Sequence, residues 1–226
     1  MRKALVIVAA IVLVVVAFVA WPGGQGRVAF AALTKNFACF EPSGTVTVAG
    51  LGDSITEGHT YPALNVAAND SYVDLLACAS GTLVKNFGVS HETTAQILAR
   101  TDQVIAAAPK KVLVLAGTND VIQGETEQSL EHLTGIRAKL MAAGIDPVFG
   151  LLPPNNDKPG ETMAFNEALR TWAERVDEEM LDYWTPLADP DGTYRDGMDR
   201  DGIHPSQQGA KVIAAVAADH LGLPKP

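Results

Sequence analysis

From position 45 to the carboxyl end, short apolar runs rich in Val, Leu and Ala alternate with segments of helical period, and that alternation leaves few folds open. The apolar runs predict strands over 45–51, 83–87, 111–116, 146–152 and 180–183. Between and after them the period predicts helices over 72–79, 92–107, 127–143, 161–178 and 205–221. A strand that returns through a helix pairs parallel to its predecessor, and near-continuous apolar strands need cover on both faces. The fold class is therefore α/β, a three-layer α/β/α sandwich around a central parallel sheet of about five strands. In such sheets ligands sit at the carboxyl ends of the strands, where the strand order reverses. Chemistry is expected in the loops after the first three strands.

The 226 residues leave room for one such domain plus an appendage, since domains run to roughly 100–200 residues. The appendage is amino-terminal. Positions 4–21 are uncharged, follow Arg2 and Lys3 directly, and end at Pro22-Gly23-Gly24. A run of this length approaches what a bilayer span requires. Basic residues ahead of it favour a cytoplasmic amino terminus, so the chain beyond it is expected outside the cytoplasm. A cleaved signal peptide has a shorter apolar region and a small-x-small site, and a cut after Ala20 puts Phe18 where a small residue belongs. The expected organisation is a signal-anchor, or a signal peptide, over 1–22, a linker or stem over 23–44, and the folded domain over 45–226. The domain is expected to be extracytoplasmic, touching the membrane only through this helix, or secreted if the segment is cut.

Export bears on the two cysteines, Cys39 and Cys78, because disulfides persist in oxidising compartments. A bridge between them closes a loop of about 40 residues, worth roughly 3–4 kcal/mol in the chain-entropy model. The alternative is two buried thiols acting as small apolar side chains. Two cysteines without close spacing do not make a sulfur-ligated metal site. Seventeen Lys and Arg against 26 Asp and Glu give a net charge of -9, which repels phosphate backbones and excludes nucleic acid as a partner.

After the first predicted strand comes Gly52-Asp53-Ser54-Ile55-Thr56-Glu57-Gly58, a serine at a strand-to-helix turn between glycines. A serine exposed there beside free backbone N–H groups suits acyl transfer. The Gly-x-Ser-x-Gly elbow of α/β-hydrolases is absent, because Thr56 stands where its second glycine belongs. The second strand ends in Asn86-Phe87-Gly88-Val89-Ser90 and the third in Gly117-Thr118-Asn119-Asp120. Near the carboxyl end lies Asp201-Gly202-Ile203-His204-Pro205-Ser206. A serine needs a base to take its proton, and a histidine base needs a carboxylate to hold its tautomer. Asp201 and His204 supply both from one short segment.

Together the four segments resemble the hallmark blocks of the SGNH (GDSL-type) hydrolase family, in the family's order, over residues 45–221. The resemblance implies a flavodoxin-like sheet and a serine carboxylic-ester hydrolase. Ser54 would be the nucleophile, His204 the general base and then acid, and Asp201 the orienting carboxylate. The backbone N–H groups of Ser54 and Gly88 and the side-chain amide of Asn119 would form the oxyanion hole. Asp53, His91, Thr118 and Ile203 are expected around the substrate pocket. No metal or organic cofactor is implied, and a monomer is expected. One departure stands out: many members follow the block-two glycine with Ser-Gly, whereas this chain has Ser90-His91.

The remaining polar residues read more plainly. His59, His132 and His220 are expected at the surface, and His91 in a solvated loop rather than as a second base. Asp189-Pro190-Asp191-Gly192 and Asp199-Arg200-Asp201-Gly202 lack the glycine that a calcium loop needs at its sixth position, so they read as Asp-Gly turns. The acidic stretch 174–179 reads as a solvated helix face. The absence of a long apolar insertion between the blocks favours small acyl groups, acetyl above all, on cell-envelope carbohydrate. A lysophospholipase or thioesterase acting on lipid acyl groups, and an O-acyltransferase using the same triad, are the alternatives. A non-catalytic carbohydrate-binding domain is disfavoured, because it would need none of Ser54, Asn119, Asp201 and His204.

Overall fold

The computed structural model describes residues 46–58, 60–61, 66–67 and 71–226. The expected membrane segment, the stem, Cys39 and His59 lie outside the described residues. Among the described residues no helix is long and apolar enough to cross a membrane.

The main sheet contains β1 (Val48–Gly52), β4 (Val84–Gly88), β5 (Lys111–Leu115), β6 (Asp146–Gly150) and β7 (Met180–Leu181). Its order is β4-β1-β5-β6-β7, every neighbour parallel. A short antiparallel pair, β2 (Thr60–Tyr61) and β3 (Val66–Ala67), belongs to a separate unit from the sheet. All five sheet strands fall where the apolar runs predicted them. β1 and the inner four residues of β5 and β6 are buried, as strands covered on both faces must be. β4 lies at the edge and is buried only at Val84, with the Lys85 ammonium 4.9 Å from the centroid of the Phe87 ring.

The helices are α1 (Ser54–Glu57), α2 (Tyr72–Ser80), α3 (Thr94–Ala99), α4 (Thr101–Ala106), α5 (Thr118–Gln123), α6 (Ser129–Ala142), α7 (Pro159–Val176) and α8 (Gln207–Leu221). One layer pairs α2 with α8, whose Ala210, Ile213, Ala214, Ala217 and Ala218 are buried. In the other layer α3 and α4 pack on α6. There Trp172 of α7 meets Phe149 of β6 edge-on at 4.9 Å and donates to Thr134 of α6 at 2.9 Å. The result is the expected three-layer sandwich.

Three helix expectations change. The single helix over 92–107 is two, broken at Arg100, whose φ of -108° and ψ of 7° end α3. The last helix starts at Gln207 rather than 205, because Ser206 takes an extended backbone and its Oγ accepts the Gly209 N–H at 3.2 Å. The short helices α1 and α5 carry too few residues to show a period. Both begin at the loops expected to hold the chemistry.

Register sets those loops side by side. Gly52 lies level with Gly88 on one side and with Leu115 on the other, so β4, β1 and β5 end in one row. Strand order reverses at the same place, between β1 and β5.

Candidate active site

Ser54 opens α1, two residues beyond the end of β1, and is half-buried. Asp53 caps the helix, its Oδ1 accepting the Ile55 N–H at 2.9 Å. As the first helical residue, Ser54 has no intrahelical carbonyl for its own N–H to serve, which leaves that donor for an incoming oxygen.

Ser54 Oγ lies 2.9 Å from His204 Nε2. His204 Nδ1 lies 3.1 and 3.0 Å from the two Asp201 carboxylate oxygens. An ionised carboxylate only accepts, so Nδ1 carries the proton and neutral Nε2 accepts the Ser54 hydroxyl. Asp201 Oδ1 also takes the backbone N–H groups of His204 at 2.8 Å and Ile203 at 3.2 Å. Partial burial works to raise the Asp201 carboxyl, but the His204 backbone N–H, ring and charge and the Ile203 N–H outweigh it and hold it at about 2. The loop itself is pinned from outside. Tyr194 donates to the Ile203 carbonyl at 3.1 Å, and the Asn156 N–H to the Gly202 carbonyl at 2.7 Å.

Of the expected oxyanion donors, Asn119 sits in the first turn of α5 and is buried. Its Nδ2 donates to the Glu92 carbonyl at 2.9 Å, which fixes the amide plane and leaves its second N–H over. The Gly88 N–H donates to Asn86 Oδ1 at 2.8 Å, so in this state it is already engaged.

Of the residues expected around the pocket, Asp53 and Thr118 are buried. His91 is exposed and Ile203 half-buried, both at the loops that flank the serine and histidine. His91 has a φ of 66°, the left-handed region that glycine occupies without strain, which explains the residue type that the resemblance led one to expect there. His132 is less exposed than expected: it is half-buried, with Nδ1 3.0 Å from Thr94 Oγ1. His220 is half-buried too, 3.8 Å from Glu179. Within the acidic stretch, Glu178 is not a solvated residue but pairs with Arg137 at 2.7 Å. The Asp-Gly segments are turns: Asp191 accepts from Thr193, and Asp199 takes the Gly202 N–H. Among the described residues no His, Cys, Asp and Glu cluster has the makings of a metal site.

Sequence reasoning missed several polar groups behind the donors. Asn86 also directs Nδ2 to the Thr56 carbonyl and to Ser71 Oγ, both at 2.9 Å. Buried Asp120 accepts from the Thr94 N–H at 2.9 Å, the Thr94 hydroxyl at 2.5 Å and the Ser129 hydroxyl at 2.8 Å. Their adjacency to Gly88 and Asn119 in sequence was the available signal.

Asp53 is unusual electrostatically. Full burial pushes its carboxyl up to about 7, with the Asp120 charge adding to the rise and the Ile55 N–H opposing it. Thr118 stands close enough to temper the shift, although neither its Oγ1 nor Asp53 Oδ2 completes a hydrogen bond. A folded-state value above the unfolded one, ordinarily about 3.9, means the native chain holds a proton that the unfolded chain has released. This contribution is fully present below about pH 4 and is lost as pH rises through about 7. Asp53→Asn keeps the Ile55 acceptor and removes the titration. It is expected to be more stable than the parent at pH 8 and to lose that advantage near pH 4, measured by urea unfolding at both. Equal differences at the two values would rule out the buried titration.

A family model described as the GDSL-like Lipase/Acylhydrolase family matches residues 51–212. No curated protein matches the chain. Among solved structures, a G-D-S-L family lipolytic protein from Desulfitobacterium hafniense superposes with a TM-score of 0.69 at 27% identity, over 77% of this chain and 99% of that one. A GDSL-like lipase from Bacteroides thetaiotaomicron shares the fold at a TM-score of 0.67 and 20% identity, over 85% and 96%. So does the psychrotrophic esterase EstA from Pseudoalteromonas sp., at 0.62 and 22%, over 78% and 96%.

Proposed function

The chain belongs to the GDSL-like lipase/acylhydrolase family, and on that premise we propose that it is an exported serine esterase removing short acyl groups, acetyl above all, from cell-envelope carbohydrate. The observation that supports ester chemistry is the continuous line from Ser54 Oγ through the His204 ring to Asp201. His204 Nε2 takes the Ser54 proton as Oγ bonds the ester carbonyl carbon, and the carbonyl electrons move onto oxygen. That oxyanion is met by the Ser54 N–H and the second N–H of Asn119, with Gly88 sharing its N–H between Asn86 and the substrate. Collapse breaks the bond to the alcohol, which leaves with the proton from Nε2. Water then gives a proton to Nε2 and attacks the acyl-serine. A second collapse returns the proton to Ser54 Oγ and releases the acid. Asp201 stays ionised throughout.

The test uses the full-length protein on p-nitrophenyl esters from acetyl to decanoyl, beside Ser54→Ala. A maximum at acetyl supports the short-chain reading. A maximum at long chains moves the substrate to lipid acyl groups. Without Ser54-dependent turnover on any ester the hydrolase reading fails, and partition of an acyl donor between water and added sugar then tests transfer.

The same reading includes an uncleaved membrane anchor over 1–22 and a Cys39 to Cys78 bridge. The intact protein is expected in the membrane fraction at its full mass, and unreduced peptide mapping should recover the two cysteines in one linked species. Cys78→Ser should then lower stability by up to roughly 3–4 kcal/mol, read by urea unfolding. Separate, alkylatable thiols would reject the bridge.

A further inference from the structure

The loop after β4 is tied to its surroundings at Val89, Ser90 and Glu92. The Val89 N–H donates to the Gly52 carbonyl at 3.0 Å. Ser90 donates its N–H to Glu57 Oε2 at 2.8 Å and its hydroxyl to the same oxygen. Glu92 gives its carbonyl to Asn119 and its carboxylate to Arg100. Arg100 in turn donates a second N–H to the Gly52 carbonyl at 2.9 Å. One guanidinium therefore joins the peptide that leads into Asp53-Ser54 to the residue whose carbonyl orients the Asn119 amide.

We propose that Arg100 is a positioning residue for the ester reaction: through Glu92 and the Gly52 carbonyl it sets where the Asn119 amide stands relative to Ser54. Both partners are largely shielded, with side chains 10% exposed at Arg100 and 17% at Glu92, so the pair is little weakened by solvent. The guanidinium is suited to the task because it is planar, always charged and forked, and it serves two acceptors at once without choosing between them. A lysine at the same place reaches only one of them. The break between α3 and α4 fits this role. Arg100 leaves helical geometry at the position from which its side chain turns to Gly52 and Glu92, whereas a continuous helix over 92–107 would keep it in register with its neighbours.

The proposal rests on Asn119 being an oxyanion donor, and a mutant cycle separates the two questions. Removing a donor typically costs about 100- to 1000-fold in rate, which is the loss expected in kcat for Asn119→Ala. Misplacing one by about an ångström costs up to about 100-fold, so Arg100→Met should lower kcat between about 10- and 100-fold while KM for the ester changes less than about threefold. In the Asn119→Ala background the same Arg100→Met substitution should cost less than about threefold, because the amide it positions is gone. Arg100→Lys should recover part of the loss. Glu92→Gln, which keeps the backbone carbonyl and removes the charge, should repeat the pattern in milder form and covers the case in which Arg100→Met folds poorly. An equal loss in both backgrounds, or a loss confined to KM or to melting temperature, would overturn the positioning role. An unchanged kcat in Asn119→Ala would overturn the reading of Asn119 and this proposal with it.

Discussion

Alanine at position 54 is expected to lower kcat by about five to six orders of magnitude, with KM for a short-chain ester changed far less. The size follows from the geometry. Ser54 Oγ is 2.9 Å from His204 Nε2, the base aligned on it, and alanine leaves nothing in place of the attacking oxygen. His204→Ala should cost about as much, and the double substitution little more, since the two atoms act as one unit. Asp201→Asn is expected to cost about 10⁴-fold, because an amide in place of the carboxylate lets the imidazole adopt the wrong tautomer. The Asp201 carboxyl is held at about 2, so it remains ionised wherever the enzyme works. The acid limb of kcat/KM is therefore not expected to report this carboxylate. Steady-state rates across pH for the parent and the three variants check this. Activity above about one per cent in Ser54→Ala would remove serine from the role of nucleophile.

Gly88→Ala is expected to damage fold and rate together. A Cβ at Gly88 would stand 2.0 Å from the Glu57 nitrogen, 2.4 Å from its Cα and 2.6 Å from the Thr56 carbonyl carbon. These are backbone atoms of α1, the helix that Ser54 opens, and they have no rotamer to retreat into. Either the end of β4 or α1 must shift, and overpacking of this kind costs typically 1–3 kcal/mol, here at about the upper end. The same shift moves the Ser54 N–H away from the carbonyl it would meet, with an expected loss of about 100-fold or more in kcat/KM. Gly160→Ala is the control. Nothing stands within 4 Å of a Cβ there, and the position lies in the first turn of α7. Gly160→Ala should keep the parent kcat/KM and unfold in urea at or slightly above the parent midpoint, which separates it from Gly88→Ala on both axes. A Gly88→Ala variant with parent stability would show that α1 and β4 approach less closely than described.

Legibility along this chain followed distance in sequence. Strand and helix positions emerged because periodicity is a local property, and the buried strands β1, β5 and β6 carry it strongly. Ends were less legible, since they turn on single groups such as the Ser206 hydroxyl that starts α8. Arg100 is a helix former by propensity, and only its partners on β1 and on the loop after β4 explain why the helix breaks there. Asp53 looked like a residue of the pocket because it adjoins Ser54. It is fully buried, which a linear pattern does not register.

By itself, then, the amino-acid sequence determined the layer architecture and named the candidate site residues. The first follows from short-range alternation of apolar residues, the second from reactive types gathered at strand ends. Tertiary structure alone decided that Ser54 meets His204 across 150 residues, that Asn86 already holds the Gly88 N–H, and that Arg100 joins Gly52 to Glu92. Those are distances between chain segments. They are set by strand order and register, which bring β4, β1 and β5 to one row of ends before any side chain finds its partner.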